Sequence, residues 1–273
     1  LWAREQAAKV LGVQPREIVF TSGGTEANNL ALFGAALARK RMGNRIVTTS
    51  IEHSSVLEAA HELEKQGFEV VLITPGSDGK VSPEAMAKAI DEHTILVSMM
   101  AVNNEVGSVQ PVEKIKKIIE RKKAPALFHV DAVQAFGKMR LKPAKLGIDL
   151  MTISGHKIHA PKGVGALYVG RGVRILPRAF GGEQQNRLRP GTEPAPLIAG
   201  LGAAIQALPD MEEERKKIQA FKDYALGKLC QLPGVEVNSP KDALPYVLNI
   251  SAVGVRSETM LPHLATRGIS VSS

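Results

Sequence analysis

The sequence predicts an α/β protein with a mostly parallel seven-stranded sheet, helices on both faces, and part of a smaller α+β domain. Short apolar runs rich in β-branched residues alternate with amphipathic stretches, as in strands joined by helices. The length of 273 residues and the 44% hydrophobic content allow one large domain and part of a second. We therefore predict a large domain over residues 1–205 and a partial small C-terminal domain over residues 206–273.

The elements of the large domain follow one another regularly. Ala3, Ala7 and Leu11 lie at helical spacing with no capping residue before them, so we expect a helix already under way and a cut N-terminus. A helix is predicted from Thr25, with apolar residues on the face toward the sheet. The predicted strands are residues 18–20, 45–47, 70–73, 94–97, 126–130, 150–153 and 165–169.

The alternation of short apolar runs and amphipathic stretches ends after Gly191. A charged helical stretch around residues 211–217 predicts a solvated helix that links the two domains. Strands are expected near residues 235–237 and 247–250, followed by a helix from Ser257 to about Thr266 and a final apolar run at 269–271.

Composition excludes several classes of function. The net charge is +8, but Lys and Arg are spread along the chain without aromatic interleaving, so we expect no nucleic-acid partner. No apolar run approaches the roughly 18 residues of a membrane span, and the first residues lack a signal-peptide layout. The single cysteine, Cys230, excludes an internal disulfide and indicates a reducing, cytoplasmic setting; we expect no metal site.

Three short segments carry groups suited to chemistry. Gly24 and Thr25 lie between a predicted strand and helix, where free backbone N–H groups bind phosphate; the alternative is a Thr cap with no ligand. Asp131 ends an apolar strand, where it would keep a pyridine nitrogen protonated or simply cap the next turn. Lys157 follows another strand in a Ser-Gly-His-Lys run, where it would bind an aldehyde or lie free on the surface.

Together these segments resemble fold-type I pyridoxal-phosphate (PLP) enzymes in order and spacing. More narrowly, the sequence resembles the class V aminotransferase superfamily and, within it, the cysteine desulfurases. The matching stretches are FTSGGTEANN at 20–29, Glu52-His53, VNNEVG at 102–107, HVDAVQ at 129–134, SGHK at 154–157, PKGVGALY at 161–168 and RPGTE at 189–193. These short stretches are spread along the sequence and span nearly the whole chain.

The resemblance implies roles for individual residues. Lys157 would hold PLP as a Schiff base and later act as a base. Asp131 would pair with the ring nitrogen and Gln134 with the ring hydroxyl. Asn104 would contact the cofactor and the substrate carboxylate, the alternative being a turn residue. His53 would stack on the pyridine ring and move protons, the alternative being a solvent-facing histidine.

The phosphate would be held from two subunits. Gly24, Thr25, Ser154 and His156 would bind it within one chain, and Thr192 would reach the phosphate of a neighbouring subunit. The resemblance therefore implies a homodimer. Arg187 and Arg189 would help gather anions near the subunit boundary or would be ordinary surface charges.

The implied activity is that of a PLP-dependent sulfurtransferase. A cysteine desulfurase converts L-cysteine to alanine and leaves an enzyme persulfide for iron-sulfur assembly or another sulfur acceptor protein. The family's catalytic cysteine would lie beyond Ser273, and Cys230 is predicted to be a small buried hydrophobe in a helix, so we expect residues 1–273 alone not to complete the reaction. The alternatives are a selenocysteine lyase, another class V enzyme, or an inactive binding module for iron-sulfur assembly.

Overall fold

A seven-stranded sheet forms the centre of the computed structural model, which describes residues 1–272. Its strand order is β1-β7-β6-β5-β4-β2-β3, and every neighbouring pair is parallel except the two that involve β7. All seven predicted strands are present, so the mostly parallel sheet is confirmed. The strands are β1 (Ile18–Thr21), β2 (Arg45–Thr49), β3 (Glu69–Ile73), β4 (Thr94–Met100), β5 (Leu127–Asp131), β6 (Leu150–Ser154) and β7 (Gly165–Val169).

Helices cover both faces of this sheet and continue beyond it. The helices are α1 (Trp2–Leu11), α2 (Gly24–Arg39), α3 (Ser54–Lys65), α4 (Pro83–Ala89), α5 (Val112–Arg121), α6 (Pro143–Leu146), α7 (Ala195–Gln206), α8 (Met211–Leu229) and α9 (Ser257–Ala265), with short 3-10 helices at Pro15–Glu17, Gly155–Ile158 and Gln184–Arg187. Leu30 of α2 and Val56 of α3 belong to the core on one face, whereas Ala7 of α1 and Ile115 of α5 belong to the core on the other. Two apolar layers therefore enclose the sheet, as expected for buried parallel strands.

A glycine allows the antiparallel strand β7 to lie close to the turn after β1. A Cβ on Gly165 would be 2.8 Å from the backbone carbon of Gly23. Because real Cβ atoms do not approach that closely, any larger residue at position 165 would push this turn away. The turn leads directly into α2, whose first residues contribute to the site described below.

The C-terminal part contains two small elements beyond α8. Strands β8 (Val235–Val237) and β9 (Ile250–Ala252) form a separate two-stranded antiparallel sheet. The strand predicted at 247–250 is displaced, because Val247 N–H bonds to Leu244 O in a turn and Val237 pairs with Ile250. The prediction of a buried Cys230 is wrong, because Cys230 is exposed at the C-terminal cap of α8. The residue of this helix that is buried is Lys222.

Among residues 1–272, no helix is both long enough and apolar enough to cross a membrane.

Candidate active site

A cavity of about 180 Å³ lies at the carboxyl ends of β4, β5 and β6. Parallel sheets place ligands at this edge because the strands end there together. The cavity gathers nine of the ten predicted site residues, all except Thr192. The lining residues are Gly24, Thr25, Asn28, His53, Ser55, Met100, Val102, Asn104, Asp131, Val133, Gln134, Ser154, His156 and Lys157.

The first turn of α2 forms the end of the cavity suited to an anion. The helix begins at Gly24, so the N–H groups of its first turn have no partner within the helix and the dipole favours negative charge. A Cβ on Gly24 would lie 3.0 Å from Val133 Cγ2, so glycine keeps this approach open. Ser154 Oγ and His156 Nδ1 lie 2.8 Å apart beside it. Burial lowers the pKa of His156, and the positive charge of Lys157 adds to this effect.

Asp131 is a buried carboxylate whose orientation is fixed. Its Oδ1 accepts the Val133 N–H at 2.9 Å and its Oδ2 accepts from Asn28 Nδ2 at 2.8 Å. Burial raises the pKa of Asp131, although these hydrogen bonds and the charge of His53 act in the opposite direction. None of the ion pairs within residues 1–272 includes Asp131. A ligand cation, such as a protonated pyridine nitrogen, would compensate this buried charge.

His53 caps helix α3 with its ring. Its Nδ1 accepts the N–H of Ser55 at 3.1 Å and lies 2.8 Å from Ser55 Oγ. The residue is exposed and lines the cavity, so its ring is accessible to a bound ligand. The stacking of His53 on a cofactor ring stays a prediction, with a solvent-facing histidine as its alternative.

Glu52, directly before His53, is buried beneath the cavity wall. Its Oε1 accepts from Thr49 Oγ1 at 2.7 Å and from Met100 N–H at 2.8 Å, whereas its Oε2 has no hydrogen-bond partner in the part of the chain that the structure describes. Burial raises the pKa of Glu52 to about 8, despite these two hydrogen bonds, and the charge of Asp131 adds to the rise. The raised pKa favours the neutral acid at pH 7, and its hydrogen bonds tie the loop after β2 to the end of β4.

Lys157 lies in the short helix that follows β6. This helix ends at His159, which has a left-handed backbone with φ of 64°, so the chain turns sharply after the lysine. Burial lowers the pKa of Lys138 to about 8, and the positive charge of Lys157 contributes. The two amines are therefore close enough to influence each other.

The two predicted amide residues also reach the cavity. Asn104 lines it because Asn103 holds the turn: Asn103 Oδ1 accepts the N–H groups of Glu105 and Val106, and its Nδ2 donates to Ile51 O at 3.1 Å. Gln134 lines the cavity one turn after Asp131.

Thr192 lies outside the cavity of its own chain. It is exposed in the segment after Arg189, whose Nε bonds to Glu26 Oε1 at 2.9 Å. Arg187 is exposed and pairs with Glu183. This segment therefore packs beside the start of α2 without entering the site.

The sequence-based predictions did not include several residues that line the cavity. Asn28 and Ser55 bond to predicted site residues, while Met100, Val102 and Val133 supply apolar walls. Asn28 stands inside the quoted FTSGGTEANN stretch, which is the signal that would have pointed to it. Ser55 carries no comparable signal, because only the packing of α3 beside α2 brings it to Asn28.

The residues of the cavity fit PLP. An open anion-binding helix end, a buried carboxylate without a cation, an exposed imidazole and a lysine amine would match its phosphate, ring nitrogen, ring face and aldehyde respectively. Gly24 keeps space that a Cβ would fill.

Comparisons with known proteins agree with this chemistry. The aminotransferase class-V family profile matches residues 2–273. A protein named putative cysteine desulfurase IscS 1 from Bacillus subtilis is 45% identical over 99% of this chain and 72% of its own length. Cysteine desulfurase IscS from Dictyoglomus turgidum is 41% identical over 99% of this chain and 69% of its own length.

Solved structures show the same likeness. A NifS-like protein superimposes with a TM-score of 0.96 at 41% identity, over 99% of this chain and 74% of that chain. A structure described as SspA in complex with cysteine has a TM-score of 0.83 at 36% identity, over 97% of this chain and 74% of that chain. The chain therefore belongs to the class V aminotransferase family, as a relative of its cysteine desulfurases.

Proposed function

We propose that this protein is a PLP-dependent cysteine desulfurase that binds its cofactor in the cavity at the ends of β4, β5 and β6. The observation that carries the proposal is that Asp131, Lys157 and the first turn of α2 line one cavity. Relatives named as cysteine desulfurases at 41–45% identity support the same activity.

The chain's own residues would have separate tasks. Gly24 and Thr25 would bind the phosphate through backbone N–H groups, together with Ser154 and His156. Asp131 would keep the proton on the ring nitrogen, because the positive charge of the protonated nitrogen offsets the cost of burying the ionised carboxylate. When bound, PLP would supply an electron sink for charge that develops at the substrate Cα.

Three further residues would act on the substrate and the ring. Lys157 Nζ would bind the cofactor covalently and, once an amino acid has replaced it, accept the proton from the substrate Cα. Asn104 would hold the substrate carboxylate, and Gln134 would bind the ring hydroxyl. His53 would stack on the ring and carry a proton at Nε2, since Nδ1 is occupied as an acceptor.

The overall reaction transfers one sulfur atom. L-cysteine and a thiol give L-alanine and a persulfide, so the C–S bond of cysteine breaks and an S–S bond forms at the accepting thiol. Cys230 is the single cysteine of the sequence and does not line the cavity. We therefore expect a thiol other than Cys230 to accept the sulfur.

The assembly proposed for this protein is a homodimer with a cytoplasmic location. The exposed position of Thr192 supports the dimer, because it leaves the side chain free to reach the phosphate site of a second copy. A single cysteine supports a reducing compartment. An iron-sulfur scaffold or another acceptor protein would receive the sulfur. Light scattering of the purified protein that gives the mass of one chain would contradict the dimer.

The test of the function is replacement of the lysine. Lys157→Ala should abolish the visible absorption of enzyme-bound PLP and the exchange of the L-cysteine Cα proton with solvent deuterium, an assay that requires no accepting thiol. Lys162→Ala, an exposed lysine of the following loop, is the matched control and should leave both signals unchanged. Unchanged absorption in Lys157→Ala would remove the central residue of the proposal.

A further inference from the structure

The two missed polar residues of the cavity, Asn28 and Ser55, lie between Asp131 and His53. Asn28 Nδ2 is 2.8 Å from Asp131 Oδ2 and 2.8 Å from Ser55 Oγ. Ser55 Oγ is in turn 2.8 Å from His53 Nδ1. A continuous set of short hydrogen bonds thus joins a residue at the end of β5 to the cap of α3.

The direction of each hydrogen bond follows from chemistry. An amide nitrogen only donates, and the reverse orientation of Asn28 would set its oxygen against the Asp131 carboxylate. Ser55 Oγ therefore accepts from Asn28, and its one proton is free to donate to His53 Nδ1. The Ser55 N–H also points at Nδ1, at 3.1 Å. Two donors meet at Nδ1, so the neutral ring carries its hydrogen on Nε2.

The burial of these residues indicates a role beyond packing. Asn28 is 1% exposed and Ser55 is 8% exposed, yet Asn28 Oδ1 has no hydrogen-bond partner within residues 1–272. A buried amide kept only to join α2 and α3 would be expected to satisfy both of its ends. Here both hydrogens of the amide are used on the cavity side, toward Asp131 and Ser55.

We propose that Asn28 and Ser55 are positioning residues that link Asp131 to His53 and hold the His53 ring as the tautomer with hydrogen on Nε2. Asn28 and the Val133 N–H occupy one site on each oxygen of Asp131, which fixes the plane of the carboxylate. The same amide orients the Ser55 hydroxyl toward His53. One amide thereby orients both the group that would contact the ring nitrogen and the group that would stack on the ring. The catalytic role of this positioning rests on the proposed function, whereas its test does not require PLP.

The test is the tautomer of His53, measured by long-range ¹H–¹⁵N NMR on the full chain labelled with ¹⁵N-histidine, before and after addition of PLP. The signals of the seven histidines are assigned with His53→Gln. In the unsubstituted protein, Nδ1 should resonate as an unprotonated nitrogen and Nε2 as a protonated one. Ser55→Ala should raise the ratio of the Nδ1–H to the Nε2–H tautomer by about threefold to tenfold, the effect of one lost neutral hydrogen bond.

Further variants separate positioning from structure. Asn28→Ala should produce a similar change, and the double variant should add little to either single one, because both belong to one connected set. Ser55→Thr keeps the hydroxyl and should restore the original ratio. Ser54→Ala, the exposed neighbour, is the matched control and should have no effect. Circular dichroism establishes that each variant is folded.

Two outcomes would overturn the inference. One is a His53 ring that carries its hydrogen on Nδ1 in the unsubstituted protein. The other is a tautomer ratio that Ser55→Ala leaves unchanged. Because the NMR signal is read before PLP is added, either outcome is distinct from failure of the proposed function, which appears in the absorption of Lys157→Ala.

Discussion

Replacement of the buried carboxyl of Glu52 by an amide should make the free energy of unfolding less dependent on pH. Glu52 is 5% exposed, and burial raises its pKa to about 8. In the unfolded chain it would ionise near its ordinary value of 4.5. Glu52→Gln keeps an oxygen to accept from Thr49 and Met100 and removes only the titration.

The direction and size of the expected change in the free energy of unfolding follow from the linkage between proton binding and folding. Between pH 4.5 and 8 the folded protein holds a proton on Glu52 that the unfolded chain has lost. This contribution to stability is fully present below pH 4.5 and disappears as the pH rises through the folded pKa of about 8. The difference of about 3.5 pH units corresponds to about 5 kcal/mol, or about 1.4 kcal/mol per pH unit within the window.

The assay is urea unfolding followed by circular dichroism at several pH values from 4 to 9, on protein freed of PLP. The free energy of unfolding of Glu52→Gln minus that of the unsubstituted protein should rise across the window and level off above about pH 8. Using the difference cancels other titrating groups. Glu58→Gln, an exposed carboxyl on α3, is the matched control and should give a flat difference. A flat difference for Glu52→Gln as well would refute the assignment of a neutral buried acid.

Two other substitutions test the anion end of the cavity and the buried charge of Lys138, which lies outside the cavity lining. Gly24→Ala places a Cβ 3.0 Å from Val133 Cγ2 and should weaken PLP affinity about tenfold or more. The affinity is measured by absorbance titration. The matched control is Gly227→Ala, where a Cβ meets nothing within 4 Å and the affinity should not change. Lys138→Met should raise the free energy of unfolding by about 3 kcal/mol at pH 7, because burial of the charged amine lowers its pKa to about 8 from 10.5. That gain should vanish as the pH rises from about 8 to beyond 10.5, and a gain independent of pH would contradict it.

The fold was largely predictable because its strands are short, apolar and rich in β-branched residues. Each of the seven runs became a strand, and parallel order follows when such runs alternate with amphipathic helices. The direction of β7 was not predictable, since a buried strand looks the same in either direction. The register of β9 and the exposure of Cys230 were not predicted either, because both depend on how a lightly packed region folds back on itself.

The candidate site was predictable where a motif placed a residue at a strand end. Asp131 ends β5, Ser154 ends β6, and the carboxyl ends of neighbouring parallel strands meet at one edge. Residues whose role depends on contacts between separate elements carry no such signal in the sequence. The link from Asn28 to Ser55 needs α2 and α3 side by side, and the neutral state of Glu52 needs the end of β4 above it.

Two buried carboxyls near each other would be costly if both were ionised, and the structure separates their charge states. Glu52 does not line the cavity, and burial raises its pKa to about 8. Asp131 also has a raised pKa, but it lines the cavity, where a ligand cation would favour its ionised form. Because the charge of Asp131 itself helps to keep Glu52 protonated, a cation bound at Asp131 should relieve part of that effect. We therefore expect PLP binding to lower the pKa of Glu52, although Glu52 does not line the cavity.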